Sequence, residues 1–194
     1  MVNNSVIAKN ITIIDNKNGN NSKIFVAHGQ NMAKVFIEAL EQEDVETVNS
    51  IASDAPTEML SMRYQDTTPL NAAIAQDARA VALVMIIRGV NGKIVDMAGA
   101  NALHIAARIS ANELVIALLK KGVSPNVKDK LGYTPLMRAA SFCNTDVLKS
   151  FKKHTIIPLD ITVKSPSGDS INDILKRCKN KEIMQVLTEI DKRK

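Results

Sequence analysis

The sequence has no tryptophan, only 3% aromatic residues and two cysteines among 194 positions. Each scarcity excludes something. With so few bulky rings the apolar mass is mostly Ala, Ile, Leu, Val and Met, which suits small-on-large helix packing rather than a β-sandwich core. Cys143 and Cys178 stand apart, with no Cys-x-x-Cys and no paired His/Cys spacing, which argues against a disulfide framework and a zinc site and fits a reducing interior. No apolar run approaches the roughly 18 residues that cross a bilayer; the stretch from Ala80 to Ile87 is short and bracketed by Arg79 and Arg88. Met1 to Asp15 lacks a basic segment followed by an apolar run, so no standard secretory signal is expected, and the terminal Lys-Arg-Lys is no lipidation signal. Enzymatic constellations are also missing. His28, His104 and His154 make no His-x-x-x-His pair, and there is no GxSxG, phosphate-binding loop or dinucleotide fingerprint. No catalytic residue, cofactor site or metal site is expected.

What is present is a chain with 45% hydrophobic and 23% charged residues, enough to bury one continuous core and unlike a disordered sequence. The formal net charge is +5, and it is unevenly spread. Lys149, Lys152, Lys153, Lys164, Lys176, Arg177, Lys179, Lys181, Lys192, Arg193 and Lys194 all fall in the last 46 residues. They read as a solvated cap or, alternatively, as a basic patch for an acidic partner whose binding would weaken with salt.

Self-similarity organises the rest. The segments beginning Asp66-Thr-Thr-Pro-Leu, Gly99-Ala-Asn-Ala-Leu and Gly132-Tyr-Thr-Pro-Leu align without gaps, with Leu70, Leu103 and Leu136 spaced by 33 residues, as are Ala73, Ala106 and Ala139. In each unit a turn precedes a helix start. Thr134 can cap such a helix, and Pro135 at its first position gives up no needed N–H. Leu136, Ala139 and Ala140 form an i, i+3, i+4 stripe whose alanines keep the helix slim. A second helix follows, read in the middle unit as Asn112–Lys121 with Leu114, Val115, Leu118 and Leu119 inward and Gly122 as a left-handed stop.

The pattern Gly-x-Thr-Pro-Leu-x-x-Ala-Ala, with a Leu-Leu-x-x-Gly helix at a 33-residue period, resembles the ankyrin repeat over roughly residues 32 to 190. The resemblance implies an all-α ankyrin-repeat solenoid of about five helix pairs, three clear repeats between degenerate caps, joined by short hairpin loops. The repeats are placed at 31–62 (cap), 63–95, 96–128, 129–164 and 165–194 (cap), so that 31–194 is the repeat domain. Ala102 departs from the usual Pro, and Asp66 stands where the turn glycine would be. The cap at 31–62 is read as two helices, with Phe36, Ala39 and Leu40 and then Val45, Val48 and Ile51 inward. The last pair is read as opening near Ile171 and closing around 181–190, its register displaced by about three residues absorbed in 154–160. Residues 1–30 are outside the repeats. Ile7, Ile11, Ile13 and Ile14, then Ile24, Phe25 and Val26, flank an Asn18-Gly19 pair, which reads as a β-hairpin arm or as a partly ordered one.

The resemblance also assigns roles. His104 holds the family's histidine position, where the ring bonds backbone of adjacent turns. Asp66, Asp96 and Asp129, taken as one recurring place, read as carboxylates that satisfy turn N–H groups rather than as a metal ladder. Cys143 ends a first helix with no histidine assigned beside it to activate it. Hairpin tips and the exposed ends of first helices imply a concave face. There Met97, Ile109, Leu131, Tyr133 and Phe142 would make one apolar strip beside Ala98, edged by Arg108, Lys130 and Arg138, with Tyr133 and Phe142 as anchors and Arg108 fixing a carboxylate. The function expected is a monomeric, non-enzymatic, cytoplasmic adaptor or inhibitor that binds a protein partner there and not nucleic acid. Three alternatives stand beside it, the last ranked being an enzyme that uses Cys143 or the N-terminal arm. The Asn/Lys/Ile-rich composition resembles small ankyrin proteins of intracellular bacteria, which implies a secreted effector acting in host cytoplasm. The basic C-terminal cluster would instead bind an acidic partner, nucleic acid or membrane.

Overall fold

A computed structural model describes residues 11–15 and 23–27 as backbone, and residues 32–178, 182 and 185 with their side chains. The chain forms two compact units, Met1–Asn91 and Gly92–Lys194. The described residues hold ten helices and one two-stranded hairpin.

In the first unit β1 (Ile11–Asp15) and β2 (Lys23–Ala27) pair antiparallel, with Ile13 opposite Phe25 and Asp15 opposite Lys23. Of the two readings of the arm, this is the hairpin; Ile7 and the Asn18-Gly19 pair lie outside the described residues. Helices α1 (Met32–Glu41) and α2 (Val45–Asp54) form the expected pair, burying Phe36, Ala39 and Leu40 against Val48, Ile51 and Ala52. Val45 does not follow. It is 66% exposed, because side chains lean toward the helix N-terminus and one in the first turn overhangs the packed face. A further single turn, α3 (Thr57–Leu60), was not legible in the sequence and buries Leu60 completely. Helices α4 (Pro69–Ala75) and α5 (Arg79–Arg88) complete the unit, with Thr68 capping α4 and Gly89 ending α5 in the left-handed region at φ 97°. Arg88 reaches back to the carbonyls of Ala52 and Ala55, both at 2.6 Å, and so satisfies the end of α2.

The second unit contains α6 (Ala102–Arg108), α7 (Asn112–Lys120), α8 (Pro135–Ser141), α9 (Thr145–His154) and α10 (Ile171–Lys176). First helices pack on first helices and second on second: α6 on α8 and α8 on α10, α7 on α9. Asn101, Thr134 and Ser170 each cap a helix, accepting the backbone N–H three residues on at 3.2, 3.2 and 3.3 Å, and of these Thr134 is the cap the sequence predicts. Leu103, Leu136, Ala106 and Ala139 are buried, as are Leu114, Val115, Leu118 and Leu119. The three-residue displacement is also visible. Turns closed by Asp96 to Ala100 and by Asp129 to Tyr133, both at 2.9 Å, are followed by one from Ser165 to Asp169 at 2.9 Å, so the step from Asp129 to Ser165 is 36 residues rather than 33. Asn126 pins the extra chain from both sides of its amide, donating to the Pro158 carbonyl at 2.7 Å and accepting from the Asp160 N–H at 2.9 Å. The closing helix expected around 181–190 lies, apart from the helical residues 182 and 185, outside the described residues.

Two further expectations are corrected. Cys143 and Cys178 are joined in a disulfide, with Cα atoms 5.5 Å apart. Their separation of 35 residues is close to the 36-residue step of this part of the chain, and stacking brings equivalent places of successive repeats together. The inference to a reducing interior rested on unbridged cysteines and loses its ground. The aspartate ladder is also out of register: the place of Asp96 and Asp129 is held in the preceding repeat by Arg63, and Asp66 stands three residues further on. That turn closes differently, through Tyr64 and Thr67, with Gln65 at φ 51°.

Candidate interaction surface

Two hairpin tips of the second unit lie side by side. The Lys130 N–H donates to the Ala98 carbonyl at 2.8 Å. This approach needs Gly99: at φ 74°, a Cβ there would stand 2.9 Å from the Lys130 nitrogen. Met97, Ala98, Lys130 and Leu131 are thereby presented together, all exposed, Met97 at 49% and Leu131 at 63%. Tyr133 follows on the descending arm of its turn and is half-buried.

Beneath the tips is a polar brace. Asp129, buried, accepts the Tyr133 N–H at 2.9 Å on Oδ1 and Nε of Arg138 at 2.9 Å on Oδ2, where a second guanidinium nitrogen also bonds. The guanidinium carbon of Arg138 sits 4.5 Å from the centre of the Tyr133 ring. One arginine therefore orients the tyrosine and neutralises the aspartate. Asp96 makes only the simpler bond, accepting the Ala100 N–H at 2.8 Å. Both carboxylates do what turn aspartates do, and no group of three or more His, Cys, Asp or Glu is gathered for a metal ion among the described residues.

His104 joins successive turns, as the family resemblance implied. Its Nδ1 accepts the Asn101 N–H at 3.2 Å, closing a capping box, and its Nε2 lies 3.1 Å from the Tyr133 carbonyl, to which it donates. Burial holds its pKa below the usual 6.5, outweighing the pull of the Tyr133 carbonyl and Asp129 in the other direction.

At the far end of the first helices stand Arg108, Ile109 and Phe142. Ile109 and Phe142 are the C-caps of α6 and α8, which pack together. Phe142 is 57% exposed, Arg108 is exposed and Ile109 half-buried. The single apolar strip expected from the sequence thus resolves into two rows, tips and helix ends, separated by a seven-residue helix that is about 10 Å long at 1.5 Å per residue. Arg138 is not a rim cation, since its guanidinium is engaged by Asp129 and Tyr133. Arg108 and Lys130 remain as the exposed cations of the surface. The brace at Asp129, the clamp at Asn126 and the bridge at Cys178 were missed by sequence reasoning. Only the bridge left a signal, in its near-repeat spacing.

The basic C-terminal cluster is partly neutralised. Lys149 pairs with Glu182, Lys176 with Asp173 at 3.4 Å and Arg177 with Asp169 at 2.7 Å. No helix among the described residues is long and apolar enough to cross a membrane.

In comparison with known families, a model described as ankyrin repeats matches residues 70–165, in three copies.

Proposed function

The chain is an ankyrin-repeat protein, and from that premise we propose that it is a non-enzymatic module holding one protein partner on the surface made by the hairpin tips and first-helix ends of residues 92–194. Repeats of this family are generally protein–protein interaction modules and typically non-enzymatic. The observation that carries the reading is the exposure of large apolar side chains at the hairpin tips and first-helix ends. Met97, Leu131 and Phe142 are 49%, 63% and 57% exposed, while the repeat leucines a few residues away are buried. Large apolar side chains grouped on a surface with cations beside them, here Lys130 and Arg108, have the composition of an interface core and its rim. Phe142 and Leu131 are the anchors, Tyr133 lends a braced ring, and Arg108 and Lys130 meet carboxylates of the partner. Adaptor, inhibitor and secreted effector would all use this same surface.

The test is capture of partners from lysate followed by titration with the purified partner. Leu131→Ala with Phe142→Ala removes two exposed side chains without touching the Asp129 brace, and should weaken binding by about 2 kcal/mol or more, over tenfold. A loss under about twofold with the fold retained would sink the proposal. A partner indifferent to this variant but released by salt would instead favour the basic C-terminal cluster.

A further inference from the structure

The two cysteines are reactive side chains that the binding surface does not use. Cys143 is exposed and lies in the left-handed turn between α8 and α9, at φ 53°. Cys178 follows α10 and is half-buried, its Sγ 3.4 Å from the Ala140 carbonyl oxygen. Other repeats show what the bridge does not hold. Ser110 makes the equivalent turn at φ 63° and Asp77 at φ 58°, neither with a disulfide. The backbone closes these turns alike, the Ala111 N–H bonding Ala106 at 3.0 Å and the Asn144 N–H bonding Ala139 at 3.2 Å. The α8–α9 turn therefore stands without the bridge.

The other end of the bridge is different. Helix α10 has six residues and is seated by Ile171, Ile174 and Leu175. Its start is secured by the Ser170–Asp173 capping box and by the preceding turn, where Pro166 lies against Gly132. Past Leu175 the side chains of Lys176 and Arg177 are exposed, and the next residue is Cys178. The disulfide is the covalent tie that fixes where the chain leaves α10.

We propose that Cys143–Cys178 is a redox modification site, a clasp that holds the end of α10 onto the α8–α9 turn when oxidised and releases it to a dithiol reductant. A thiolate of the reductant attacks Sγ of Cys143, the more exposed residue of the pair, and Cys178 leaves as a thiolate and takes up a proton. The second thiol of the reductant then attacks the mixed disulfide, freeing Cys143. Two electrons pass to the bridge, leaving two cysteine thiols and one oxidised dithiol. Because each repeat is supported only by its neighbours, the loosening stays at this edge.

The experiment uses the full chain purified without reductant, with dithiothreitol as the probe. Thiols are counted by alkylation and mass spectrometry, and local order is followed by amide hydrogen exchange. The untreated chain should take up no alkylating groups and the treated chain two. Exchange over 171–178 should then rise at least tenfold, with 102–120 unchanged within twofold. Cys143→Ser with Cys178→Ser should show the reduced pattern with or without dithiothreitol. Free thiols in the untreated chain kept in oxidised glutathione, a bridge that dithiothreitol cannot open in the folded chain, or unchanged exchange over 171–178 would each overturn the clasp. So would failure of the double variant to fold, since the bridge would then be a condition of folding rather than a switch.

Discussion

Replacing Asp129 by alanine tests the brace, and its equivalent in the preceding repeat supplies the control. The Asp129 side chain is 3% exposed and Arg138, its partner, 23%. Alanine removes an acceptor from the Tyr133 N–H and leaves a half-buried guanidinium without its counter-charge. Losing a hydrogen bond costs about 1 kcal/mol, and one to a charged group about 1.5–3. Breaking a fully buried pair costs about 3–5 kcal/mol; Arg138 keeps some access to water, which points to the lower end, about 3 kcal/mol. Asp96→Ala removes only the bond to the Ala100 N–H, at a half-exposed site where water can substitute, so about 1 kcal/mol is expected. Asp129→Asn keeps the Oδ1 acceptor and loses the charge, and should fall between them. The assay is urea unfolding of the disulfide-intact chain followed by far-ultraviolet circular dichroism, comparing midpoints and slopes. If the two alanine variants agree within about 0.5 kcal/mol, smaller than any charge-assisted bond above, the account of Arg138 as an internal strut is wrong.

His104 supplies a pH dependence with a definite sign. Its folded pKa lies below the usual 6.5 because it is buried, so under acid the unfolded chain binds more protons than the folded one. The stability it contributes is complete above pH 6.5 and is lost as pH falls from there through the folded pKa. Unfolding midpoints from pH 7.5 to 5 should decline in the wild type and decline less in His104→Asn; equal slopes would refute this. Gly132→Ala should destabilise more than Gly168→Ala. Both glycines have positive φ, at 76° and 82°, but a Cβ at Gly132 would stand 2.9 Å from the Pro166 ring and one at Gly168 meets nothing within 4 Å. The left-handed penalty of about 1–2 kcal/mol is shared, so the difference in thermal midpoint reads the steric part, and equal midpoints would contradict it. Asn126→Ala should raise amide exchange at Asp160, whose N–H it holds at 2.9 Å, with little effect on Ala111; unchanged exchange at Asp160 would show that the inserted segment does not depend on this clamp.

Much of the fold was determined by the sequence alone, because its signals are local. Thr-Pro at residues 134 and 135 presets a capped helix start, and the leucines at 70, 103 and 136 repeat at one period because each helix buries the same face. Gly89 and Gly122 mark helix ends because the left-handed region costs glycine nothing. The sequence offered the candidate surface as a set of positions, of which Met97, Leu131 and Phe142 are exposed and Ile109, Tyr133 and Arg138 half-buried. What those positions do together was not legible. Whether Arg138 faces a partner or turns back to Asp129 depends on a contact across nine residues between a turn and a helix, and whether Cys143 is a free thiol or bridged depends on a neighbour 35 residues away. Propensity, capping and periodicity act within one turn or one repeat. The pairing of charged and sulfur groups is decided by distance in space, which exists only once the repeats have stacked.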